Sequence, residues 1–473
     1  MAESVRRRDF LAATGLVTAT GIAGLAWSPR AEASTATGPP AERAWSEAAA
    51  IMRRVRPPRF PDRDFDITEF GAVGDGKTDC TSAIRAAIAE CHSSGGGRVV
   101  VPPGTFATGA VHLLSDTNLH LSAGATLAFS RDPADYLPVV YTRYEGVELW
   151  NYSPLVYAHR ERNVAITGTG VIDGRADDSH WWDWTGGAPP NESPDKTRLN
   201  ELAAAGAPVA QRVFGGGHHL RPNMVQFYSC ENVLVEGVTL RDSPMWNLHP
   251  VLCRNVTVRS VVVDSPHGPN NDGIDPESCT DVVIENCVIN TGDDCVALKS
   301  GKNADGRRVD VPCENVVVLD CEMADGNGGV TIGSETSGGI RNLFVRRCAM
   351  SSPRLERAIR IKSNPERGGT IEKIYVHQVN VGQAADAVVE MVLNYANVTT
   401  GAFPPDLHGV VISQLTAANA PRALNMIGDE THPIRDIRLH ACRFDAMSEA
   451  DVIRNVEGLV LNQVWTNGVR IDT

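Results

Sequence analysis

The sequence contains no pair of cysteines spaced C-x-x-C and no pair of histidines spaced H-x-x-x-H, so a structural zinc site has no ligand set to draw on. It has no surplus of positive charge: 44 Lys and Arg stand against 57 Asp and Glu, a formal net charge of −13. That balance argues against a nucleic acid as partner. It also means that an acidic substrate needs a local basic patch, because the global field repels it. Long apolar runs are missing as well. The best, Leu11 to Trp27, is short and rich in Gly and Ala, too weak for a membrane span. No cysteine precedes Cys80, which leaves no thiol near the N-terminus for a lipid anchor.

What is present begins with "VRRRDFLAATGLVTATGIAGLAWSPRAEA". Arg7 and Arg8 precede Asp9, Phe10 and Leu11, a small-residue run follows, and Ala31-Glu32-Ala33 offers a small-x-small cleavage site. Residues 1–33 read as a twin-arginine export signal. The expected product is secreted, extracellular or periplasmic, and free of the membrane after cleavage. Residues 34–60 read as an N-terminal extension and 61–473 as one domain. The stretch "GAVGDGKT", Gly71 to Thr78, matches the phosphate-loop pattern residue for residue. Nucleotides are scarce outside the cytoplasm, and Asp75 would set a carboxylate where a phosphate should lie. The match is read as accidental, and no cofactor is expected. Its bland role is a glycine turn into a helix ending near Cys91, capped by Asp79 or Thr78, with Ala83, Ile84, Ala87 and Ile88 as its apolar face.

From Asn163 onward, short β-branched runs recur: "NVAITGTGVI", "NVLVEGVTL", "NVTVRSVVV", "DVVIENCVI", "NVVVLDCEM", "NLFVRRCAM" and "KIYVHQVNV". From Asn232 their starts lie 23, 26, 34, 27 and 31 residues apart. Period-2 alternation within each run predicts a strand with one buried face, and the recurring unit predicts a solenoid. Six runs open with Asn or Asp, residues that tolerate the left-handed conformation of tight turns. Cys230, Cys253, Cys279 and Cys313 sit two residues before a run; Cys287, Cys321 and Cys348 sit six after its start. Equivalent positions stack about 4.8 Å apart. Buried thiols in equivalent core slots are expected, with disulfides between some neighbours left open. The fold class read from this is all-β: a right-handed, single-stranded parallel β-helix of about ten coils, with an N-terminal capping helix covering the otherwise naked edge.

Two acidic motifs stand out on that frame, "NNDGIDP" (Asn270 to Pro276) and "GDDCVALKSG" (Gly292 to Gly301). Asp272 and Asp293 are 21 residues apart, close to one coil, and Asp294 adds a third carboxylate. Taken singly, the motifs are ordinary turns. One coil apart, they crowd three like charges and separate their pKa values, as glycosidic cleavage requires. The same phase brings in Trp246 and His249 on one side, and Asn327, Arg360, Lys362 and Tyr395 on the other. Arg360 and Lys362, two apart on a strand, project to one side and could grip a sugar carboxylate, or else pair with the aspartates.

These residues, with "FGAVGDGKTDCTSAI" and "GGGRVVVPPGTF" near the start, resemble the polygalacturonases of glycoside hydrolase family 28, bacterial branch, over nearly all of the chain after the signal. The resemblance implies a pectin-lyase-like β-helix that hydrolyses pectic polysaccharide with inversion and without metal. It implies Asp293 as general acid, Asp272 and Asp294 as holders of the attacking water, and Asn270, Asn327, Arg360, Lys362 and Tyr395 as substrate-binding, to which the coil phase adds Trp246 and His249. Two positions depart from the family pattern. Asn271 replaces a Thr, and Asn327 stands where the family carries a His, an amide that cannot titrate. The segment from about Tyr141 to Arg221, including "WWDW" at Trp181 to Trp184, is expected to wall off one end of the cleft and give exo cleavage. A monomer is expected. Three rivals stay open: a Ca²⁺-dependent pectate lyase, a hydrolase of rhamnogalacturonan or another acidic glycan, and a non-catalytic carbohydrate-binding β-helix.

Overall fold

The computed structural model describes residues 39–187 and 190–473, and the export signal expected over 1–33 lies outside them. The chain divides into residues 1–42, described only as the first turn of a helix, and residues 43–473. The larger unit is a right-handed parallel β-helix. One face stacks Asp64–Asp66, Gly97–Val101, Thr117–Leu121, Arg162–Gly168, Glu231–Glu236 and Arg254–Arg259, each strand parallel to the next. Thr280–Glu285, Cys313–Leu319, Ile340–Arg346, Thr370–Val381, Asp406–Ala417 and Ile434–His440 continue it. A second face runs from Val111–His112 to Val452–Arg454 and carries the strands Leu248–Val251, Asp294–Leu298, Gly328–Ile332, Arg357–Lys362 and Ala387–Val392.

The alternation of each run explains the interior. Val164, Val233, Val256, Val282, Val316, Leu343, Ile374, Val410 and Ile437 fall in register down one column, all buried. Each such side chain stabilises the fold by about 1.5–3 kcal/mol relative to exposure. All eleven cysteines are buried and free, and so act as small apolar fillers. Neighbouring thiols serve as weak acceptors: Cys230 N–H points at Cys253 Sγ and Cys253 N–H at Cys279 Sγ, both at 3.4 Å.

The residues opening the runs hold left-handed backbone, with φ from +50° to +62° at Asn163, Asn232, Asn255, Asp281, Asn315 and Asn342. Their amides form a ladder: Asn232 Nδ2 donates to Asn163 Oδ1 (2.9 Å), Asn255 to Asn232 (2.6 Å) and Asn342 to Asn315 (2.9 Å). Asp281 interrupts the ladder, and Arg54 fills the gap at 2.7 Å. Arg54 ends the helix Pro39–Arg54, whose Ala44, Ala48 and Ile51, with Val55 just beyond, pack on Val283, Val317, Leu319 and Phe344.

The helix Thr81–Ser93 buries Ala83, Ile84, Ala87 and Ile88 against the first coils. Asp79 Oδ1 accepts the Thr81 N–H at 2.9 Å, whereas Thr78 turns back to Asp75. Asp75 Oδ1 accepts the N–H groups of Lys77 and Thr78, each at 2.8 Å. The loop's own carboxylate therefore consumes the donors that a phosphate would need.

Three pieces interrupt the coils beside the second face: the antiparallel hairpin Val140–Tyr144/Val147–Asn151, the helix Ser193–Ala204 and the helix Asn303–Val309. Tyr144, Val147, Leu149, Leu199, Phe214, Leu220 and Trp246 form a satellite core that fixes the first two. No described helix is long and apolar enough to cross a membrane.

Candidate active site

Asp272 and Asp294 reach the same point because their coils touch. Gly273 N–H donates to Asp294 O at 2.9 Å, and Ile274 bridges Val296. Gly273 must lack a side chain there, since a Cβ would sit 2.3 Å from Cys295 O. Asn271 is wholly buried, and its Oδ1 accepts Gly292 N–H at 3.0 Å, just before Asp293. Its amide donates to the carbonyls of Ser265 and His267. At this position the amide staples two turns. Asp272, Asp293 and Asp294 each present an oxygen within 4.8 Å of the others.

Cations sit on two of the three. Lys299 Nζ lies 3.1 Å from Asp272, 3.7 Å from Asp275 and 3.5 Å from Glu335, and 4.2 Å from the Trp246 ring centre. Lys362 Nζ lies 2.7 Å and Arg360 Nη1 3.4 Å from Asp294, whose Oδ1 also accepts the Thr331 hydroxyl at 2.9 Å. Among the described residues no cation pairs with Asp293. Its Oδ1 accepts Asn327 Nδ2 and Asp294 N–H, both at 2.9 Å. Three carboxylates could offer oxygens to one dication, but the ammonium and guanidinium groups already placed against them make a poor calcium site, which wants six to eight oxygens.

The carboxyls separate, through burial and the fixed cations more than through crowding. Burial lifts Asp272 to about 7, against the pull of Lys299. Burial and the neighbouring Asp294 raise Asp293. Lys362 and Arg360 overcome burial at Asp294 and hold it down to about 2. Asp275, wholly buried beneath Lys299 with neither oxygen hydrogen-bonded, is pushed far up by burial and by Asp272. The cations therefore keep Asp294 ionised, while Asp272 and Asp293 are both shifted toward their protonated forms.

A cavity of about 290 Å³ opens over this cluster. Of the residues singled out from the sequence, Trp246, Asn270, Asp272, Asp293, Asn327, Arg360, Lys362 and Tyr395 line it. Asp294 is completely buried beneath it. Arg360 and Lys362 pair with Asp294, the alternative open for them, and also line the cavity. Asn270 Oδ1 accepts Arg221 Nη2 at 2.9 Å, which orients it. The Lys362 ammonium lies 5.2 Å from the Tyr395 ring centre.

His249 is a correction: it does not reach the cavity. It is wholly buried, with Nε2 2.8 Å from Glu277 and Nδ1 beside Asn223 and Gln226. Its register partner Gln226 accepts the Thr142 hydroxyl at 2.6 Å, so the hairpin covers this row of the sheet. Coil phase alone carries no information about that inserted hairpin.

Several cavity residues were not anticipated: Glu145, Lys196, Lys299, Lys302, Ser334, Glu335 and Arg367. Lys299 had a signal. Leu298, Ile332 and Ile361 share a register, which puts Lys299 two coils from Lys362 in the same column. The others sit on inserted elements or on loops leaving the strands, where period carries no signal. With Arg360 and Lys362, the residues Lys196, Lys299, Lys302 and Arg367 supply the local basic patch that the net charge demands.

A family model described as "Glycosyl hydrolases family 28" matches residues 215–460, and one described as "Rhamnogalacturonase A/epimerase, pectate lyase-like" matches residues 65–120. A probable polygalacturonase of Vitis vinifera is 31% identical over 388 residues, 78% of this chain and 72% of that protein. An exo-poly-alpha-D-galacturonosidase of Dickeya chrysanthemi is 30% identical over 353 residues, 70% of this chain and 57% of that protein. The crystal structure of a hyperthermoactive exopolygalacturonase from Thermotoga maritima superposes with a TM-score of 0.88 at 44% identity, covering 90% of this chain and 97% of that one.

Proposed function

This chain belongs to glycosyl hydrolases family 28 and is a glycoside hydrolase, and on that premise we propose that it cleaves the uronate backbone of pectic polysaccharide by inverting hydrolysis. The observation that carries the reading is the cluster Asp272, Asp293 and Asp294 under a cavity flanked by Arg360 and Lys362. Asp293 is the general acid. It is the most open of the three carboxyls, and its pKa is raised despite the pull of Lys362 and Lys299. It passes its proton to the glycosidic oxygen as the bond to the anomeric carbon breaks, and that oxygen leaves with the bonding pair. A water held by Asp272 and Asp294 adds to the anomeric carbon from the opposite face. Asp272 takes its proton, since its raised pKa makes it the better base. Solvent then exchanges the protons back.

Two observations favour inversion. Asp272 and Asp294 are only 3% and 0% exposed, and both are tied to cations, so neither is free to reach the anomeric carbon as a nucleophile. Arg360 and Lys362 hold the sugar carboxylate beside Tyr395. The reaction needs no metal, because proton transfer and the fixed cations supply the charge stabilisation.

We further propose exo cleavage, supported by the hairpin and the helix Ser193–Ala204 at one end of the cavity and by the exopolygalacturonase relatives. Export through the twin-arginine signal and a pectic substrate outside the cytoplasm belong to the same reading. The match over residues 65–120 keeps a rhamnogalacturonan substrate as the second reading. Incubation with polygalacturonate and, separately, rhamnogalacturonan, with products identified by mass, tests the substrate and the bond chemistry. Saturated uronate monomers or short oligomers from polygalacturonate alone support the proposal. Unsaturated products, products from rhamnogalacturonan alone, or no products at all overturn it.

A further inference from the structure

The end of the cavity next to Trp246 carries a charged trio that the reaction as described does not use. Glu145 occupies the tip of the hairpin, with φ +42° at Glu145 and +79° at Gly146. Lys196 Nζ, from the helix Ser193–Ala204, lies 2.7 Å from its Oε1, and Lys302 Nζ lies 3.2 Å from its Oε2. All three residues line the cavity. They are held with care. Lys302 N–H donates to Gly146 O at 3.1 Å, and a Cβ at Gly146 would meet Lys302 N at 2.8 Å. Tyr144 and Val147, which flank Glu145 and Gly146, share a core with Leu199 and Trp246. The two lysines hold Glu145 down to about 2, so it is a carboxylate at any working pH.

As a staple for the hairpin this trio is not needed, since apolar packing stabilises such a contact as well as a buried ion pair does. As a recognition surface it is well equipped. A carboxylate has about four acceptor sites, and the lysines take two of Glu145's; each ammonium has three donors. Acceptors and donors therefore alternate in the cavity that Arg360 and Lys362 also line.

We propose that Glu145, Lys196 and Lys302 form the site that reads the hydroxyl groups of a chain-terminal sugar, and so make the cleavage exo. The ligand class is the hydroxyl-bearing end of a uronate chain. A mid-chain segment, whose ring continues through a glycosidic oxygen, would lose one of these hydroxyl contacts and have to continue past Glu145. This rests on the exo reading above.

The test compares wild type, Glu145→Gln and Lys302→Met on an oligogalacturonate hexamer, following each product length with time. Wild type should release only units from one end. Glu145→Gln should raise KM by about tenfold, more than kcat falls, and let mid-chain products appear, as lost hydrogen bonds to a charged group would. Lys302→Met should repeat the effect from a different element, which separates recognition from hairpin folding. Unaltered KM and product lengths in both variants overturn the inference while leaving the exo reading intact. Mid-chain products from wild type overturn both.

Discussion

Asn327 Nδ2 donates to Asp293 Oδ1 at 2.9 Å, across one coil, and Asn327 N–H holds the Asp293 carbonyl at 3.0 Å. An uncharged amide thus steadies the ionised form of the proposed general acid. The bond lowers Asp293 against the rise caused by burial and Asp294. Asn327→Ala should raise the pKa of Asp293. Asp293 acts when protonated, so the alkaline limb of the kcat profile should move up by about 0.5–1 pH unit, the equivalent of one hydrogen bond. A pH–rate profile on oligogalacturonate checks this; a limb that stays put or moves down contradicts it.

Asp272 and Asp294 should affect stability with opposite signs. Folding raises Asp272 from 3.8 to about 7, so the folded chain binds a proton that the unfolded chain has lost. Its contribution is complete below pH 3.8 and is lost as pH rises through about 7. Asp272→Asn removes that loss and should raise Tm at pH 8, with little change at pH 4, while abolishing turnover. Folding lowers Asp294 to about 2, so its contribution is present above pH 3.8 and lost as pH falls through about 2. Asp294→Asn leaves Lys362 without its anion and Arg360 with Glu390 alone, and should cost about 3–5 kcal/mol near neutrality. Thermal melts of both variants between pH 4 and 8 read the two signs.

Arg360 faces the cavity while sharing its guanidinium between Glu390 at 3.1 Å and Asp294 at 3.4 Å. If it also holds the sugar carboxylate, Arg360→Gln should lower kcat/KM on free uronate oligomers by about 10–100-fold, the scale of a lost charge-assisted contact. It should do much less on their methyl esters. Equal losses on the two substrates would assign Arg360 to Asp294 alone.

The eleven cysteines are free and buried in the stack. Thiol titration should therefore find almost none in the native protein and all eleven in denaturant without reductant. Fewer in denaturant would reveal disulfides between stacked neighbours.

The stack itself was legible because each coil repeats its phase. Val, Asn and Cys recur at fixed offsets, and the register puts them in columns. Asp272, Asp293 and Asp294 were legible for the same reason. The phase gave no warning about His249, which sits in the right row but lies under the hairpin that ends in Glu145. Lys299 was legible in principle, since it shares Lys362's column, although its spacing of 63 residues spans two coils of unequal length. Glu145, Lys196, Lys302 and Arg367 were not legible. They stand on insertions and exit loops, whose course is set by local packing such as the Tyr144–Leu199–Trp246 cluster. The phosphate-loop match shows the converse, a perfect local pattern cancelled by one side chain, Asp75.

The account turns on a water, steered by buried carboxylates, attacking opposite the bond that Asp293 protonates. Proton NMR of the first product formed from an α-linked galacturonate oligomer reads this directly. The account predicts that the new reducing end appears first as the β anomer and only later mutarotates. An α anomer formed first, or an unsaturated uronate in place of either, would contradict it.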